Sequence, residues 1–72
     1  MSRIVGIGAE PVLAGYGLVG VEVIDADEAE SVRRAWAALA DDVGLVLLTP
    51  AARRALPEPI PAGGPLWVVL PA

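Results

Sequence analysis

The segment that most constrains the fold is Val43–Leu48, a run of aliphatic residues without polar alternation. Both faces of such a strand need cover, which is typical of a central strand in a parallel sheet. Helical patterns precede and follow it. The order of elements therefore predicts a β-α-β-α-β arrangement with helices on both faces of the sheet.

The chain predicts a single domain over residues 1–72, a small Rossmann-like (receiver-like) three-layer α/β domain. We expect a four-stranded parallel sheet in the order 2-1-3-4, with the second strand at an edge. The predicted strands are Arg3–Ile7, Val21–Ile24, Val43–Leu48 and Leu66–Leu70, and the predicted short helices are Pro11 to about Gly15 and Ala51–Leu56.

The best-marked helix begins at a group of carboxylates. Asp25, Asp27 and Glu28 match the positive end of a helix dipole and offer an N-cap with a glutamate three positions on. Apolar residues at helical spacing give one apolar stripe along a helix that Asp41 and Asp42 end: Ala29, Val32, Trp36 and Leu39.

The last predicted strand lacks a covering helix. The proline-rich segment 57–65 predicts a loop, and Pro71 follows the strand at once. One flank of this strand is therefore expected to be open or to be covered by another molecule. The interface residues expected there are Leu66, Trp67, Val68 and Leu70.

Composition excludes several functions. Five arginines against nine carboxylates give a net charge of −4, so a nucleic-acid ligand is not expected. Without histidine, cysteine or lysine the usual general bases and activated nucleophiles are missing, so we expect no enzyme activity, no catalytic residue and no cofactor. Asp25, Asp27, Asp41 and Asp42 lack the spacing of a calcium loop, so no metal site is expected.

Gly15–Gly20 matches G-x-G-x-x-G, the dinucleotide-binding fingerprint. The fingerprint must follow a strand and open a helix, whereas these glycines precede the second strand, so they predict a turn. A ligand of a doubly wound sheet would instead lie at the carboxyl ends of the strands. The residues expected there are Gly8, Ala9, Glu10, Asp25, Thr49 and Pro50. A phospho-receiver domain needs an aspartate where this chain has Thr49.

Three stretches of the chain resemble the F subunit of the V-type (archaeal/vacuolar-type) rotary ATPases. They are Arg3–Gly8, Gly15–Glu22 and Asp41–Thr49. The second is the most specific, because a G-aromatic-x-L-x-G-V-E run between the first two strands is unusual outside that family. The chain resembles a short form that lacks the family's C-terminal helical segment.

The resemblance implies a non-catalytic component of the central rotor stalk that docks on the D subunit, contacts rotor and head subunits, and modulates ATP hydrolysis and proton transport. It further implies a cytoplasmic protein, peripheral to the membrane through the ATPase complex. No apolar stretch approaches the roughly 20 residues that span a bilayer, so direct membrane insertion is not expected.

Two alternatives stay open. The chain is otherwise expected to be a stand-alone protein-interaction module that covers its open last strand by self-association. The other alternative is a sensor of a small ligand, with a pocket around Gly8, Glu10 and Thr49.

Overall fold

Four parallel strands and three short helices alternate along the chain in a computed structural model, which describes residues 3–60 and 63–71. The strands are β1 (Arg3–Gly8), β2 (Glu22–Asp25), β3 (Val43–Leu48) and β4 (Leu66–Val69). The helices are α1 (Glu10–Ala14), α2 (Ala29–Ala37) and α3 (Pro50–Ala55).

The strand order is β2-β1-β3-β4, as the sequence predicts. The core side chains of β1 pack with α2 and α3, because Val5 and Ile7 belong to one buried cluster with Val32 and Ala52. Helix α1 lies on the opposite face, where Leu13 sits above Gly6. The three-layer α/β domain is therefore confirmed.

The core lies between the sheet and the helices α2 and α3. Its largest fully buried side chains on this face of the sheet are Val5, Ile7, Val46 and Leu48. Burial of each such side chain contributes roughly 1.5–3 kcal/mol to the free energy of unfolding. We call this side of the sheet the helix-packed face.

The central strand carries an irregularity that its unbroken apolar run does not reveal. The pairing of β1 with β3 shifts between Arg3 and Ile4, which face Val43 and Leu45, so Gly44 is the extra residue of a bulge. In a regular strand the odd-numbered Val43 and the even-numbered Val46 and Leu48 would lie on opposite faces. The bulge brings Val43 to the same face, so all three belong to the core. A glycine inside a strand is the signal that marks such a site.

The other side of the sheet, which we call the open face, is covered only in part. Pairing aligns Ile4, Leu45 and Leu66 in one row across this face. Leu45 is half-buried, whereas Ile4 and Leu66 are 40% and 76% exposed. The expected cover on both faces of β3 is thus complete only on the helix-packed face, because α1 has five residues and contacts β1 and β2.

The predicted element boundaries need small corrections. Helix α2 ends at Ala37, well before Asp41, and its N-cap is Glu28 instead of an aspartate. The Ser31 hydroxyl accepts a hydrogen bond from Glu28 N at 3.2 Å and donates one to Glu28 O at 2.8 Å. A serine at the third helical position therefore fills the role that the sequence assigned to a glutamate.

The segment between α3 and β4 forms no helix or strand in the residues described, and positions 61 and 62 of this predicted loop lie outside them. Its Glu58–Pro59 peptide bond is cis. Strand β2 is an edge strand, as predicted, and β4 is the other edge. No helix within residues 3–60 and 63–71 is long and apolar enough to cross a membrane.

The contact between the ends of β1 and β3 gives a first test. Gly8 has φ +156°, and a Cβ placed on it would lie 2.2 Å from Cγ2 of Thr49. We expect Gly8→Ala to lower the free energy of unfolding by about 2–4 kcal/mol through steric overlap and backbone strain. Urea unfolding followed by circular dichroism measures the change.

Gly6→Ala is the matched control in the same strand. Its Cβ would meet Leu13 and Val21 at 3.4 Å, an ordinary contact, so we expect a change within about 1 kcal/mol. Equal losses for the two variants would contradict the tight packing at Gly8.

Candidate functional site

The carboxyl ends of the strands bring together the residues that the sequence places there. Gly8 pairs with Asp25 across β1 and β2. Thr49 follows β3 directly, and its N–H donates to the Ile7 carbonyl at 3.3 Å. The residues predicted to lie at this edge of the sheet are therefore close together. They could bind a ligand only if the fold itself does not use them.

Thr49 is used by the fold. Its side chain is buried, and its Oγ1 accepts a hydrogen bond from Ala52 N at 3.1 Å, so it is the N-cap of α3. Pro50 occupies the first position of α3, where its missing N–H removes no helical hydrogen bond. Because the Thr49 side chain also fills the space beside Gly8, a phosphate cannot approach the backbone there.

Asp25 is used in the same way. Its Oδ1 accepts a hydrogen bond at 2.9 Å from the backbone N–H of Glu10, the first residue of α1. Ala9, the residue before α1, provides no side-chain cap, so Asp25 satisfies from β2 a donor that the helix leaves unpaired. A phosphate at this position would meet the carboxylates of Asp25 and Glu10.

The dinucleotide-like motif lies away from this edge. Gly15–Gly20 forms the connection between α1 and β2, as predicted, and it precedes a strand. Gly17 and Gly20 have φ of +61° and +79°, which explains glycine at both positions. Between them Val19 is 95% exposed. The motif therefore shapes a turn, in which Val19 is the most exposed apolar side chain.

Arg3 ties together three parts of the chain. Its Nη1 lies 3.1 Å from Glu22 Oε1, and its Nε lies 2.9 Å from Asp42 Oδ2 without the alignment of a hydrogen bond. The pKa of Arg3 is raised above its ordinary value. The larger cause is the carboxylate of Asp42, and the second is the charge of Glu22. Asp42 is thus an ion-pair partner. In the described part of the chain no three carboxylates converge as metal ligands.

Among the described residues, shallow cavities lie at two other places. One, of about 460 Å³, is bounded by Trp36, Leu39, Asp41 and the stretch 63–65. The second, of about 210 Å³, separates the start of α2 from α3, with Glu28 and Arg54 in its lining. Neither includes Gly8, Glu10 or Thr49, the centre of the expected ligand pocket.

Strand β4 is the most exposed apolar element of the sheet. Its four residues are all exposed: Leu66, Trp67, Val68 and Val69 at 76%, 37%, 47% and 41%. Leu70, the fourth residue predicted for an interface, is half-buried. Val69 was missed by sequence analysis, although it follows directly in the same apolar run.

Backbone hydrogen bonding fixes which groups of β4 are free. In a parallel ladder alternate residues direct both backbone groups to the same neighbour. Leu70 N donates to Leu48 O at 2.8 Å, so Leu66, Val68 and Leu70 pair with β3. The N–H and C=O groups of Trp67 and Val69 therefore point away from the sheet. We call these two residues, with Leu66, Val68 and Leu70, the β4 edge.

Two contacts hold the β4 edge in place. On the helix-packed face the guanidinium of Arg53 lies 5.1 Å from the ring centroid of Trp67, and Glu58 pairs with the same arginine at 3.0 Å. On the other side the Tyr16 hydroxyl donates a hydrogen bond to the carbonyl of Pro71. No spacing rule links these distant positions, so the sequence alone does not reveal either contact.

Comparison with models of protein families, with curated proteins and with solved structures gave no significant match to this chain.

The structural role of Thr49 gives a second test. We expect Thr49→Ala to lower the free energy of unfolding by about 1 kcal/mol, within a range of 0.5–2, because the N-cap hydrogen bond to Ala52 is lost. Thr49→Ser keeps the hydroxyl and should retain most of that stability. Thermal and urea unfolding measure both variants. A larger loss for serine than for alanine would contradict the capping role.

Proposed function

We propose that this chain is a non-catalytic docking domain, similar to the F subunit of the V-type rotary ATPases. It binds the D subunit in the central rotor stalk, contacts rotor and head subunits, and modulates ATP hydrolysis and proton transport. It acts in the cytoplasm and reaches the membrane only through that complex.

The observation that carries this proposal is the β4 edge. It combines exposed apolar side chains with free backbone N–H and C=O groups, and no charged residue follows Glu58 in the sequence. Edge strands usually carry charges that discourage pairing with other chains. An uncharged apolar edge therefore supports a role in binding protein.

The strand-end residues support a non-catalytic role. Thr49 caps α3, and Asp25 holds the first N–H of α1. Residues committed to local structure in this way are poor candidates for an acid, a base or a nucleophile, which must be free to meet a substrate. The stretch Gly15–Glu22, the most specific of the three resembling stretches, adds an exposed turn that includes Val19.

Binding to the D subunit tests this proposal. The purified chain is immobilised and exposed to the D subunit of the rotary ATPase of the same organism at micromolar concentration. We expect retention of the D subunit. We further expect Val68→Asp to weaken binding at least about tenfold, because a carboxylate would be buried without a partner. A chain that does not retain the D subunit, or an organism that encodes no such ATPase, would contradict the proposal.

Val19→Asp is the matched control, since it places the same charge on another exposed valine, in the turn before β2. It should bind the D subunit as the unchanged chain does. Both valines are exposed in a single copy, so at a concentration where the chain is monomeric both variants should melt within about 4 °C of the unchanged chain. Equal loss of binding in both would show that the D subunit does not dock on the β4 edge.

A further inference from the structure

We propose that two copies of this chain pair through antiparallel β4 strands to form one continuous eight-stranded sheet. The inference concerns the isolated chain and does not depend on a rotary ATPase. It uses the surface that the proposed function assigns to docking, so the free chain covers its own edge when no other partner is bound.

The hydrogen-bonding groups of the β4 edge are self-complementary. The outward-facing residues are Trp67 and Val69, and each offers one donor and one acceptor. When Val68 lies opposite Val68 of the second copy, each Trp67 faces the other copy's Val69. There are two such Trp67–Val69 pairs, and each exchanges two hydrogen bonds, as hydrogen-bonded pairs of an antiparallel ladder do. This register leaves no donor or acceptor of the two residues unpaired.

Prolines bound the pairing at both ends. Pro65 and Pro71 have the same outward parity as Trp67 and Val69, and proline has no N–H to donate. In the register centred on Val68 each Pro65 lies opposite the other copy's Pro71, so neither leaves an unpaired donor. A shift of the register by two residues would place a proline opposite Trp67 or Val69. Because proline has no N–H, the C=O of Trp67 or Val69 would then have no hydrogen-bond donor.

The side chains agree with the same register. The two-fold axis is normal to the sheet, so the open faces of both copies lie on one side. Val68 meets Val68, and Leu66 meets Leu70 of the other copy, at the close spacing of non-hydrogen-bonded pairs. Apolar side chains that are exposed in one copy are covered in two.

The charge distribution favours a second copy at this edge. Each copy carries a net charge of −4, but eight of its nine carboxylates precede Thr49 and no charged residue follows Glu58. Two copies that approach through β4 thus meet along strands without charged side chains, beside Arg53 and its ion-pair partner Glu58, whose charges are of opposite sign. Every other approach in the sheet plane would bring β2, with Glu22 and Asp25, towards the partner.

Single-cysteine variants test the register, because the chain has no native cysteine. Under mild oxidation we expect Val68→Cys to form a disulfide-linked dimer. Leu66→Cys alone should not, because its two copies are separated by four residues along the ladder. An equal mixture of Leu66→Cys and Leu70→Cys should cross-link. Non-reducing electrophoresis measures each product, and Val19→Cys gives the yield of random collision.

Light scattering on the unchanged chain, over a hundredfold dilution, tests the dimer itself. We expect the mass of two copies at high concentration, and at least a tenfold weaker association for Val69→Pro, which removes an outward N–H without removing a bond to β3. A monomer at all concentrations would overturn the proposal. A dimer in which Val68→Cys cross-links no better than Val19→Cys would overturn the β4 pairing.

Failure of this proposal is distinct from failure of the proposed function. Light scattering and cross-linking use the chain alone, whereas docking is read from retention of the D subunit. A stable monomer that retains the D subunit would remove the homodimer and leave the docking role. A dimer that ignores the D subunit would do the reverse.

Discussion

Pairing of β3 on both of its edges is the interaction on which the rest of the structure depends. An aliphatic strand has no polar side chain to offer water, so its backbone needs hydrogen-bonded neighbours and its core-facing side chains need cover. Strand β1 pairs along one edge and β4 along the other. Helices α2 and α3 cover one face, and their burial of Val46 and Leu48 supplies much of the core.

The same fold explains why Thr49 and Asp25, at the carboxyl ends of the strands, are already engaged in hydrogen bonds. Helices α1 and α3 have five and six residues, and short helices leave a large share of their backbone donors unpaired. Thr49 and Asp25 satisfy two of these donors from the strand ends. Side chains that could otherwise point at a ligand serve here to start helices.

Much of this fold could be predicted from sequence. Val43–Leu48 indicated the central strand, and the position of Gly15–Gly20 before the second strand indicated a turn. The bulge at Gly44 was missed. In a run where every side chain is apolar, the sequence does not show that residues on either side of Gly44 alternate differently between the two faces. The cap at Glu28 and Ser31 was also missed, because several carboxylates compete for the start of α2 and local geometry selects among them.

The candidate site was less predictable than the fold. The sequence correctly grouped Gly8, Asp25 and Thr49 at one edge, but only coordinates reveal that Thr49 fills the space beside Gly8. The exposure of β4 agrees with the expectation of an open flank, drawn from the proline-rich segment 57–65 before this strand and from Pro71 after it. The contacts of Arg53 with Trp67 and of Tyr16 with Pro71 join positions far apart in the chain, and only the assembled sheet brings them together.

Amide hydrogen exchange by NMR on the dilute chain tests the central role of β3 most directly. The N–H of Thr49 donates to β1, and alternate residues of a parallel strand pair with the same neighbour, so the amides of Leu45 and Leu47 also donate to β1. These amides should therefore exchange only when the whole domain unfolds. The outward amides of Trp67 and Val69 should exchange far faster. Exchange of Leu45 and Leu47 at the rate of Trp67 would contradict a fold built on β3.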